Sequence, residues 1–118
     1  MDLTPEQRER VERLLYDCED AVVFRRKLDS VESAIELHEF SRQFNWDGGF
    51  DELEAVLHHR LCDRGTALMI FWLAEPVYFL DFDNPNDIPS MNRPLLQFVN
   101  TARDVLLKNQ FQSNQIRF

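Results

Sequence analysis

Glycine is scarce in this chain of 118 residues: there are three, Gly48, Gly49 and Gly65. So few excludes a glycine-rich phosphate loop and a Gly-x-Ser-x-Gly nucleophile turn, and it suits helices better than a sheet protein full of tight turns. Cysteine is nearly absent too. Cys18 and Cys62 form no Cys-x-x-Cys and are too few for a disulfide framework, so both are read as small buried thiols. Cys62 beside Asp63 has no electropositive setting and is a poor nucleophile. There is no long apolar run either. The longest, "TALMIFWLA", is about half of what a membrane span needs. The start "MDLTPEQRERVERL" has no apolar signal-peptide core, so a soluble cytoplasmic protein is expected. His38, His58 and His59 show no metal-ligand spacing, and no catalytic motif is recognised. No metal, no cofactor and no enzymatic activity are therefore expected. The adjacent His58 and His59 point about 100° apart on a helix and read as helix-end residues.

What is present is globular. The hydrophobic fraction is 44% with ten Phe, and the length suits one domain spanning residues 1–118. The charge is strongly asymmetric. Residues 1–90 carry 20 acids against 9 bases, or −11, whereas residues 91–118 carry one acid against four bases, or +3. Such an acidic field repels nucleic acid and favours a basic partner.

Hydrophobic periodicity predicts about five helices in an all-α orthogonal bundle or a short α-solenoid. In "LTPEQRERVERLLYDCEDAVVF", Thr4, Pro5 and Gln7 make a helix start. Val11, Leu14, Leu15, Cys18 and Val22 then form one continuous face. A second helix over "DSVESAIELHEFSRQF", capped by Asp29 or Ser30, has an inward stripe of Val31, Ala34, Ile35 and His38 with Leu37 or Phe40. Its outward face carries Glu32, Glu36 and Glu39. "GFDELEAVLHHRLC" is a third, with Asp51, Glu52 and Glu54 suiting its positive end. "DRGTALMIFWLAE", capped by Asp63 and stopped by Pro76, is apolar all round and is expected to be the buried central helix. "VYFLDF" reads as a short strand or extended loop and "DNPNDIP" as turns. "RPLLQFVNTARDVLLKNQF" is the last helix, and residues 112–118 are expected to be a mobile tail unless Ile116 and Phe118 dock.

Between the second and third helices stands "FNWDGGF". Asn45 and Asp47 can bond to nearby backbone, the glycines permit positive φ, and Phe44, Trp46 and Phe50 can bury a corner. A structural turn is the expectation, ahead of a binding surface or a catalytic site. Three acidic clusters are the candidate partner-binding residues: Asp17, Glu19 and Asp20; Glu32, Glu36 and Glu39; and Asp81, Asp83 and Asp87.

The stretch 37–76 is similar to a bacterial domain family of unassigned function. The likeness rests on Leu37, His38 and Phe40, on Asn45, Trp46, Asp47, Gly49 and Phe50, and on Cys62, Asp63, Gly65, Thr66, Ala67, Leu68, Phe71 and Trp72. The flanks at 1–30 and 77–118 carry no likeness. The resemblance implies a small stand-alone bacterial protein of the kind that serves as immunity protein to a secreted toxin, and size and acidity agree with it. The expected function is thus an immunity (antitoxin) protein that binds and blocks a cognate toxin domain, a basic nuclease being the favoured partner. The alternative is a helical adaptor or scaffold that binds a cellular protein or peptide.

Overall fold

In the computed structural model, which describes residues 3–46, 49–108, 111 and 116, local chemistry sets most helix ends. Helix α1 (Pro5–Tyr16) begins with the expected capping box: the Thr4 side chain accepts from the Gln7 backbone N–H, and the Gln7 side chain accepts from that of Thr4. α1 does not run on through Val22. It ends at Asp17, and the chain restarts as α2 (Ala21–Asp29) because the Asp20 carboxylate accepts the Val23 N–H at 2.9 Å and caps a new helix. Lys27 of α2 reaches back and donates to the Asp17 carbonyl at 2.8 Å, which satisfies one of the orphan acceptors at the end of α1. Val22, expected on the inward stripe, is 68% exposed as a consequence.

α3 (Ala34–Gln43) starts after Ser33, later than either expected cap. Its buried positions are Glu36, Leu37, Phe40 and Ser41, so its inward face is rotated from the expected one and Ala34, Ile35 and His38 are only half-buried. α4 (Asp51–Leu57) buries Leu53, Val56 and Leu57. In α5 (Arg64–Leu73), Asp63 caps as expected by accepting the Gly65 N–H at 2.7 Å. The first two turns of α5 are buried, but its end is not, since Trp72 and Leu73 are exposed. After Glu75, in the left-handed region at φ 55°, Pro76 blocks continuation and the chain forms 3₁₀ turns rather than a strand: Pro76–Asp81, Pro85–Asp87 and Ser90–Asn92. α6 (Arg93–Lys108) closes the fold, and no strand occurs among the described residues.

The fold is all-α. α1 packs on α3, α5 on α6, and α3 on α5, with α4 against α2, α3 and α6. One continuous core gathers residues from each of α1 to α6, including Val11, Phe24, Phe40, Leu53, Ile70 and Phe98. The aromatic corner between α3 and α4 belongs to it. Trp46 meets Phe98 edge-on at 5.7 Å between ring centres, Phe50 meets the same ring at 4.8 Å, and Phe44 meets Phe40 at 5.5 Å. Gly49 turns the chain at φ 104°, a conformation that glycine adopts without strain, and donates to the Trp46 carbonyl at 3.2 Å. Asp47 and Gly48 lie outside the described residues, as does the expected tail apart from Ile116. That residue is buried, and its N–H donates to the Asp63 carboxylate at 3.4 Å.

Candidate functional site

The packing of α2 against α4 leaves a groove of about 580 Å³. Its floor is apolar, made of Phe24 and Leu28 from α2 and Ala55 from α4. Its walls are acidic: Asp29 ends α2, and Asp51, Glu52 and Glu54 form the first turn of α4. Among the described residues of the lining, Arg25 is the one fixed positive charge. None of the four carboxylates makes an ion pair with a described residue.

Two histidines stand at the α4 end. His58 Nδ1 lies 2.9 Å from the Glu54 carbonyl and donates to it. His59 has a fixed tautomer: Nε2–H donates to the Leu28 carbonyl at 3.2 Å, and Nδ1 accepts the Leu61 N–H at 3.0 Å. It thus joins α2 to the turn before α5. Burial holds its pKa below the ordinary value, against the opposing pull of the Leu28 carbonyl.

The first acidic cluster adjoins this groove. Asp17, Glu19 and Asp20 are exposed at the α1–α2 junction. Burial pushes the Cys18 thiol up; Lys27 opposes this, while Asp17, Glu52 and Asp20 add to it. Asp17 and Asp20 of the junction and Glu52 of α4 therefore act on the same atom.

The second cluster is not an outward acidic face. Glu36 is fully buried. It pairs with Arg10 of α1, accepts from Ser33 Oγ at 2.6 Å and from the Glu32 N–H at 3.2 Å. Arg10 also stands 3.5 Å from Glu32, so the like charges of Glu32 and Glu36 are bridged by a shared cation. Glu39 is half-buried and bound by Arg42 at 2.8 Å and by Gln43 at 3.1 Å, and the Arg42 hydrogen bond holds its carboxyl below the usual range. The third cluster, Asp81, Asp83 and Asp87, is exposed on the 3₁₀ segment and does not line the groove.

Sequence reasoning missed Asp29, Asp51, Glu52 and Glu54 as a site, reading those of α4 as helix-start charge. The one local signal is the density of acid in "DELE". Residues of the central stretch hold the fold together: His38 Nδ1 contacts Thr66 Oγ1 at 3.0 Å, tying α3 to α5. Burial and the neighbouring Asp63 push the Cys62 thiol up to about 12, which keeps it protonated and unreactive.

These features define a helical domain with an acid-walled, apolar-floored groove. The chain belongs to the DUF4274 family, a domain of unknown function, whose model matches residues 32–107. No curated protein and no solved structure matches it. The matched stretch begins just before α3 and ends within the last turn of α6, so α4 lies inside it and α2 outside. Among the described residues, no helix is long and apolar enough to cross a membrane.

Proposed function

We propose that this protein is an immunity-type inhibitor, which binds a basic protein without chemistry of its own and blocks it in the cytoplasm. A secreted bacterial toxin domain, a basic nuclease in the favoured case, is the partner this reading expects. The observation that carries it is the α2–α4 groove, whose four wall carboxylates make no ion pair with a described residue above a floor of Phe24, Leu28 and Ala55. Carboxylates held in that state attract Lys and Arg side chains and speed encounter with them. Asp17, Glu19 and Asp20 extend the same field. An inhibitor of a nuclease gains by placing carboxylates where substrate phosphates would otherwise bind.

The test begins with capture of partners from the native host, identified by mass spectrometry, followed by binding at low and moderate salt. The triple variant Asp51→Lys, Glu52→Lys, Glu54→Lys should slow association with the basic partner by about tenfold or more, and the effect should shrink as salt rises. A partner that is not basic, or whose binding ignores both the variant and salt, would return the protein to the adaptor reading.

A further inference from the structure

We infer that the stretch from Trp72 to Met91 is a second docking face, for a partner protein that presents an apolar cleft rimmed by lysine and arginine. The inference rests on the partner-binding reading above and adds a surface to it. Of the nine large hydrophobic side chains exposed among the described residues, six fall in this stretch: Trp72, Leu73, Val77, Tyr78, Leu80 and Met91. Leu80 is 79% and Met91 83% exposed, far more than a single grazing contact with solvent. Scattered exposed apolar residues are ordinary, and a concentration of them in one anchored segment is what an interaction surface requires.

The segment is anchored, and this distinguishes presentation from poor packing. Ala74 and Ile88 are buried, and Phe79 packs against the core from beneath. Hydrogen bonds brace the segment and tie its middle to its end. The Trp72 carbonyl accepts from the Glu75 N–H and the Glu75 carbonyl from the Tyr78 N–H, both at 3.1 Å. The Tyr78 hydroxyl accepts from the Asn92 side chain at 2.8 Å, beside Met91.

Charge selects the occupant. Glu75, Asp81, Asp83 and Asp87 are exposed in and around the strip, and no lysine or arginine occurs between Arg64 and Arg93. A second copy of this chain would set four acids against four more in a protein of net charge −8, so self-association through this face is opposed. An anionic lipid surface is opposed for the same reason. A cleft with a basic rim matches both the apolar strip and its border.

The experiment uses the full chain, labelled for amide NMR, and two peptides of about 14 residues, long enough for an amphipathic helix to form on binding. One carries leucine on one face and lysine on the other. The second has the same lysines with serine in place of leucine. The leucine–lysine peptide should shift the amides of residues 72–91, whereas the serine–lysine peptide should shift only those of the α2–α4 groove. The double variant Leu80→Ser, Met91→Ser removes two side chains the fold does not bury. It should weaken the leucine–lysine peptide about tenfold or more and leave the serine–lysine peptide unchanged. Leucine–lysine shifts confined to the groove, or untouched by the variant, overturn this inference while the groove reading stands. Shifts at 72–91 without any groove binding sink the groove and leave this face. Binding of neither peptide removes both. Concentration-dependent dimerisation that broadens residues 72–91 would assign the face to a second copy instead.

Discussion

Replacing Gly65 by alanine tests the docking of Ile116 on α5. Alanine is the better helix former, and the exchange inside an exposed helix stabilises by about 1 kcal/mol. Here the sign should reverse. A Cβ at Gly65 would stand 2.8 Å from the Ile116 carbonyl carbon and closer still to its oxygen, and both are backbone atoms. Relief requires that stretch of backbone to retreat by about an ångström or more, to ordinary contact distance. The retreat uncovers the Ile116 side chain, now 7% exposed, and lengthens the bond from its N–H to the Asp63 carboxylate, already 3.4 Å. Losing the burial of one isoleucine costs about 1.5–3 kcal/mol. With the helix gain of about 1 kcal/mol subtracted, Gly65→Ala should lose about 0.5–2 kcal/mol, or roughly 2–10 °C in Tm. Urea and thermal denaturation of Gly65→Ala, Ile116→Ala and the double variant would measure it. If the docking is real, Ile116→Ala costs about 2 kcal/mol in the parent and little in the Gly65→Ala background. A Gly65→Ala protein as stable as the parent, or more so, with additive effects in the double variant, would refute the reasoning.

Three further outcomes are expected. His38 and His59 are both held below the ordinary value of 6.5, mainly by burial, so the unfolded chain binds more protons than the fold does. Their contribution should be complete above about pH 7 and lost as pH falls through 6.5 and then through the lowered folded values; the double variant to Gln should flatten that part of the stability–pH curve. Glu36→Leu removes the acceptor shared by Arg10, Ser33 Oγ and the Glu32 N–H, and should cost about 2–3 kcal/mol in urea denaturation; no loss would mean that the buried carboxylate is dispensable. Trp46→Ala should cost about 3 kcal/mol, near the lower end for a large aromatic because the ring is only partly buried, and should leave partner binding intact once folded; a variant that melts like the parent but loses its partner would turn the corner into a binding site.

How much of this was legible depended on how local the chemistry is. The Thr4–Gln7 box, the Asp63 cap and the stop at Pro76 need only near neighbours, and the sequence announces them. The break at Asp17–Asp20 was hidden because the apolar spacing from Val11 to Val22 continues across it, while the deciding events are a carboxylate cap and the reach of Lys27. The burial of Glu36 was illegible from its own helix, because its cation lies 26 residues away on α1. The groove was illegible for the same kind of reason: Asp51, Glu52 and Glu54 become walls only when α2 lies alongside α4. The acidic loop residues were visible, but not the apolar strip they border, since a run such as Trp72–Leu73 reads as core until its helix is seen to end in the open.

The Arg10–Glu36 pair has a consequence for how this domain can vary and be cut. The family match begins at residue 32, yet Glu36 is neutralised from position 10, and Val11 and Leu14 of the same helix belong to the core. The edge of sequence similarity is therefore not the edge of the folding unit. A fragment trimmed to 32–107 would keep the Ser33 and Glu32 donors to Glu36 but lose its cation and uncover an apolar face, and such a fragment is apt to aggregate. Within the family, position 36 and the helix laid over it are expected to change together. The expected pattern is that a relative with an acid there brings a base on the segment that precedes the shared stretch, and that one without the base places an apolar or neutral residue at 36; an alignment of relatives checks it.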